Sequence, residues 1–171
     1  MTQTNKSYVN EILINFPCLL DLEYGIISYD FKNDVSVAAA IVKSNIPYKP
    51  GVYLIYENLE NYLGKLLYVG KAGADKIGVI NNHQIPKRLL ATIKLKEEYW
   101  HHEKVNVSKE ITRDKAFPIM MEVDNIKTIL IFCFYSKITS DYKVDNLSNP
   151  LKLENEINKN LKTRPLKWSK R

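Results

Sequence analysis

The segment "IKTILIFCFYSKI", Ile126 to Ile138, constrains this chain more than any other. Its apolar heart, Thr128 to Tyr135, is dense in β-branched and aromatic residues and is bounded by polar ones. It is far shorter than the ~20 apolar residues a membrane-crossing helix needs. It therefore reads as a strand buried on both faces, and such a strand requires a sheet with helices covering it.

Two further segments have strand character. "GVYLIYE" (51–57) and "KLLYVGK" (65–71) are β-branched and aromatic runs joined by a polar loop containing Asn and Gly, which predicts an antiparallel pair. A loop holding Gly73 and Gly78 follows. "IPKRLLATIKLKEEYW" (85–100) then reads as a helix, with Pro86 in its first turn and Ile85, Leu89, Leu90 and Ile93 as its apolar stripe. "NPLKLENEINKNLK" (149–162) predicts a second helix, capped by Asn149 with Pro150 in the first helical position. The order β-β-α-β-α predicts an α/β (α+β) fold, a three-stranded antiparallel sheet flanked by helices. Residues 1–49 read as an N-terminal arm. In it "NEILINF" is a short helix stopped by Pro17, and "VSVAAAIVKSN" is a helix or strand ending before Pro47 and Pro50.

The 171 residues suit one domain, and 45% hydrophobic with 26% charged residues excludes a disordered chain. Lysine and arginine total 25 against 19 acids, giving +6 and favouring an anionic partner such as nucleic acid. Cys18 and Cys133 stand far apart, which suggests neither a disulfide framework nor a zinc site and fits a reducing cytoplasm. The first residues, "MTQTNKSYVNEILINF", lack the layout of a signal peptide, so a cytoplasmic protein is expected.

Chemistry concentrates in a few residues. Tyr53 and Tyr68 lie on the two paired runs and can stand side by side across them, either as ordinary aromatic packing or as a matched pair. Tyr53 shares a strand face with Ile55, and Tyr68 with Leu66 and Gly70. Gly70 permits close backbone approach of a ligand, and Lys71 beside a phenol favours its ionised form. Arg88, on the following helix, offers a planar fork suited to phosphate. On a helical wheel Glu154 falls amid Leu151, Ile157 and Leu161, whereas Glu156 points almost the opposite way. A carboxylate on an apolar stripe is costly unless paired or metal-bound, so Glu154 is the leading acid of the chain.

In this order the residues resemble the GIY-YIG nucleases. "GVY" stands where that family has its first triplet and "YVG" where it has its second. The lysine after the second triplet, the arginine on the next helix and the glutamate on a late helix follow over about Pro50 to Trp168. "YVGKAG…IPKRL" and "LENEI" with a basic, proline-containing tail are most similar to the small type II restriction endonucleases of the family.

The resemblance implies a bacterial, sequence-specific endonuclease that hydrolyses phosphodiester bonds of double-stranded DNA. Tyr53, aided by Lys71 and Tyr68, would deprotonate the attacking water, with the choice of tyrosine left open. Arg88 would neutralise phosphoryl charge. Glu154 would hold one Mg²⁺ or Mn²⁺. His83 could assist at the same phosphate or be an ordinary loop residue, and His101 and His102 read as surface residues. Most members carry an asparagine after a "P-x-[aromatic]" stretch. Here "RPLKWSKR" offers Trp168 and no asparagine, which leaves Asn158 as a stand-in and Glu156 as an alternative metal ligand.

The resemblance also implies a homodimer reading a palindrome and a cognate DNA methyltransferase as genetic partner. Lys94 to Lys96 and the basic tail from Lys162 to Arg171 would hold phosphates. The arm (1–49) and an insertion near 99–119 within the 50–171 nuclease domain would supply dimer contacts or base readout. The alternatives are a non-cleaving DNA-binding module on the same scaffold and a GIY-YIG nuclease of repair or mobile elements.

Overall fold

In the computed structural model, which describes residues 3–105, 109–161 and 166–169, the apolar run is strand β6 (Thr128–Tyr135) and lies inside the sheet. Its neighbours are β1 (Tyr24–Asp30) and β2 (Gly51–Leu59), and β2 in turn pairs with β3 (Tyr62–Ala72). Every pairing is antiparallel, in the order β1-β6-β2-β3. The expected three-stranded sheet is therefore corrected to four strands in a mixed α+β fold. The added strand comes from the N-terminal arm, so that arm is part of the sheet.

Helices cover both faces. On one face α1 (Gln3–Asn15) and α5 (Pro150–Asn160) bury Val9, Ile12, Leu153 and Ile157 against Val52, Leu54, Phe132 and Phe134. On the other, α2 (Val37–Lys43), α3 (Ile85–Leu90) and α4 (Arg113–Val123) pack on Tyr53, Ile55, Ile131 and Cys133. Cys133 is thus the small buried hydrophobe its setting predicts, and both cysteines are free. Asn149 caps α5 as expected, its side chain accepting from the Leu151 N–H at 3.0 Å.

The helix expected over 85–100 ends at Leu90. Ala91 is extended, and Thr92–Lys94 forms strand β4, paired with β5 (Glu110–Thr112). β-branched Thr92 and Ile93 find cross-strand partners in Thr112 and Ile111, so a tertiary pairing overrides the local helical stripe. The segment 99–119 therefore builds β5 and most of α4, against the α2 side of the sheet. No helix among the described residues is long and apolar enough to cross a membrane.

Candidate active site

Strand β3 is an edge of the sheet, and around that edge opens a cleft of about 1170 Å³. Tyr68 and Lys71 from β3, Arg88 from α3, Lys94 from β4, Glu110 from β5, Arg113 from α4, and Glu154 and Asn158 from α5 all line it. Residues 83 positions apart meet directly: Lys71 Nζ donates to Glu154 Oε2 at 2.5 Å. Lys71, Arg88, Lys94 and Arg113 outnumber Glu110 and Glu154 on the cleft wall, so its field favours an anion.

The tyrosines are indeed a pair, but not an equivalent one. Tyr53 stands opposite Gly70 in register, and its ring lies 5.9 Å from that of Tyr68 at an interplanar angle of 28°. A Cβ at Gly70 would come within 2.5 Å of the Tyr53 hydroxyl and 2.7 Å of the Tyr68 ring. The glycine therefore makes room for the two phenols rather than for a ligand. Tyr68 is half-buried and faces the cleft, whereas Tyr53 is 0% exposed behind it. A bulge shifts the register between Ile55↔Tyr68 and Tyr56↔Leu66. Leu67 and Tyr68 consequently pack on the same side, which corrects the expectation that Tyr68 shares a face with Leu66.

Burial pushes the Tyr53 hydroxyl above the ordinary tyrosine range, and neighbouring Tyr68 adds to the rise. The guanidinium charges of Arg113 and Arg88 oppose it. Lys71 plays no part in that balance. It stands three residues beyond Tyr68, so strand alternation turns it to the opposite face, toward α5 and Glu154. The cleft thus wraps the sheet edge, with Tyr68, Arg88 and Arg113 on one side and the Lys71–Glu154 pair on the other.

Glu154 is not at the centre of the buried stripe of α5. Leu153 and Ile157 mark that centre, and Glu154 is rotated roughly 80° from it. Its side chain is 20% exposed at the cleft wall. Glu156 points away and pairs with Lys159 at 3.3 Å. His83 is exposed in the loop before α3, its N–H donating to Asn81 Oδ1 at 2.9 Å, and does not line the cleft. His101 is exposed, while the His102 ring is 10% exposed and sits 3.2 Å from Glu122.

Trp168 also lines the cleft. Its backbone N–H donates to Leu67 O at 3.0 Å, covering part of the open β3 edge, and its ring stacks on Phe117 at 5.8 Å. Asp124 receives its indole N–H at 2.7 Å, the Tyr99 hydroxyl at 3.1 Å and Lys167 at 2.9 Å. Of the basic tail, Lys162, Arg164, Lys170 and Arg171 lie outside the described residues.

A metal is tested by the donors present. No group of three or more His, Cys, Asp or Glu among the described residues could cage one. Two carboxylates reach the cleft, Glu110 from β5 and Glu154 from α5, and Glu154 is the one that meets Lys71. That suits a hard cation taking one or two protein carboxylates, with substrate phosphates and water supplying its other ligands.

Sequence reasoning passed over Arg113, which lies in the expected insertion and whose only signal was an arginine opening an amphipathic segment. Compared with protein-family models, curated proteins and solved structures, the chain matches none.

Proposed function

We propose that this protein is a divalent-metal-dependent endonuclease of double-stranded DNA, built as a GIY-YIG enzyme of the type II restriction kind. One observation carries the reading: Tyr68, Lys71, Arg88 and Glu154, spread over β3, α3 and α5, line one open, basic cleft. In this reading Tyr68 replaces Tyr53 as the phenol that accepts a proton from the attacking water, because Tyr53 is fully buried. Tyr53 holds the Tyr68 ring from behind. Arg88 sets positive charge against the phosphoryl oxygens. Glu154 would hold Mg²⁺ or Mn²⁺, which when bound supplies charge stabilisation at the leaving oxygen. Lys71 orients the Glu154 carboxylate. A homodimer cutting both strands of a palindrome, and a methyltransferase protecting the host sequence, belong to the same proposal.

The test is incubation of purified protein with phage and plasmid DNA in the presence of Mg²⁺ or Mn²⁺. Discrete fragments are expected, lost in Glu154→Gln and retained in Glu156→Gln. A second reading, a DNA-binding module that does not cut, is favoured by one feature: Lys71 already engages the Glu154 carboxylate. Tight DNA binding without cleavage of any substrate would decide for it.

A further inference from the structure

Arg113 is 3% exposed, yet it lines the cleft beside Arg88. It opens α4, in the segment expected to serve dimer contacts or base readout. Its Nη1 donates to the carbonyls of Arg88 at 3.2 Å, Ala91 at 3.0 Å and Thr92 at 3.3 Å. Its backbone N–H also donates to Ala91 O, at 3.1 Å. Two of these carbonyls, those of Arg88 and Ala91, belong to the last turn and C-cap of α3, and the Arg88 carbonyl also accepts from the Ala91 N–H at 3.2 Å. The bonds brace the turn that carries Arg88 and fix the plane of the Arg113 guanidinium.

A guanidinium held through Nη1 keeps its Nε edge in one direction. That Nε is buried and has no acceptor among the described residues. None of the ion pairs between described residues involves Arg113. Folded proteins seldom leave a buried donor unsatisfied or a buried cation uncompensated, so Arg113 calls for a cause, such as an anion at the cleft it lines. Arg113 is bonded to the Arg88 carbonyl and both arginines line the cleft together with Tyr68, so two cations stand side by side in its wall.

We propose that Arg88 and Arg113 form a two-guanidinium clamp for a tetrahedral phosphate oxyanion, with Arg113 both binding the anion and positioning Arg88. Several oxygens held from two planar forks suit phosphate, whereas a planar carboxylate is satisfied by one. The inference rests on the reading of the cleft as a phosphodiester site and extends it to a residue outside the motif.

Arginine Nε–Hε resonances of the ¹⁵N-labelled full chain give the test, assigned with Arg88→Lys and Arg113→Lys. Inorganic phosphate is titrated first and a short DNA duplex second, both without divalent metal. Both arginine signals are expected to shift saturably with phosphate. Arg113→Lys, which keeps the charge and a donor for the carbonyls, is expected to weaken phosphate binding about fivefold or more. Lys143→Ala, on an exposed loop, is expected to leave it unchanged. An Arg113 signal that stays still while that of Arg88 moves overturns the clamp and leaves Arg113 a helix-end brace. Unchanged phosphate affinity in Arg113→Lys does the same. Should Arg113→Lys not fold, the wild-type titration alone decides. Shifts of both signals by phosphate, with DNA neither bound in the titration nor cut once Mg²⁺ is added, uphold the clamp and refute the endonuclease. Cleavage of DNA once Mg²⁺ is added, with an Arg113 signal unresponsive in the titration, refutes the clamp and upholds the endonuclease.

Discussion

Gly70→Ala probes the tyrosine stack at its tightest point. The new Cβ would press on Tyr53 Cζ and lie 2.5 Å from the Tyr53 hydroxyl and 2.7 Å from Tyr68 Cε1. Relaxed carbon contacts are about 3.5–4.0 Å, so each of these is short by roughly 1 Å. Tyr53 cannot swing away, because it is fully buried and sits between Gly70 on β3 and Cys133 on β6. Overpacking of this kind costs about 1–3 kcal/mol. Restricting the unfolded chain returns about 0.4–1 kcal/mol, which leaves a net loss of about 1–2 kcal/mol. At about 2–4 °C per kcal/mol for a chain of this size, Tm should fall by about 2–8 °C. Scanning calorimetry or far-UV circular dichroism reads that shift. DNA cleavage should fall as well, since the variant displaces the phenol that faces the cleft. A Tm equal to or above that of the parent protein would refute the reasoning, because the rings would then not be wedged on the strand.

Three further outcomes are expected. Tyr53→Phe removes a buried hydroxyl without a hydrogen-bond partner among the described residues, so denaturant unfolding should show unchanged or slightly higher stability, and a loss above about 1 kcal/mol would mean the hydroxyl is satisfied. In cleavage assays it should stay within about tenfold of the parent, whereas Tyr68→Phe should lose about 100-fold or more. Alkaline pH should unfold the protein, since burial holds Tyr53, Tyr56, Tyr99 and Tyr135 above the ordinary tyrosine value. The sign follows from the protonated form being favoured in the fold: this stability is complete below about pH 10 and is lost as pH rises through the folded values. Tyrosinate absorbance should therefore appear in part with unfolding, and full ionisation near pH 10 in a folded protein would contradict it. Asp124→Asn weakens the acceptor of Trp168, Tyr99 and Lys167 at a side chain only 5% exposed, so chemical denaturation should show a loss of about 2–3 kcal/mol, and Trp168 fluorescence should report a loosened C-terminal segment.

Much of the site was legible because its elements are local. The runs around Tyr53 and Tyr68 declare a hairpin, and Asn149-Pro150 declares the start of α5. The helical wheel singles out Glu154 but places it about 80° too deep, since the wheel measures spacing and not which face meets the sheet. β1 was missed although "YGIISYD" alternates Ile27 and Tyr29 against exposed Ser28. At an edge position such a short strand carries a weak signal beside the polar residues around it.

The amino-acid sequence alone determined that a doubly buried strand would need a covered sheet, that a tyrosine-bearing hairpin would join it, and that the chain would be basic. These follow from side-chain period, turn chemistry and charge, all of which act over a few residues. Only the tertiary structure decided which tyrosine meets solvent, because a bulge at Leu67 and the bare Cα of Gly70 set the two rings at different depths. It also decided that Lys71 serves Glu154 rather than a phenol. And it decided that Arg113, brought in by the β4–β5 pairing, completes the cleft. Those outcomes depend on contacts between distant segments, whose register no local pattern encodes.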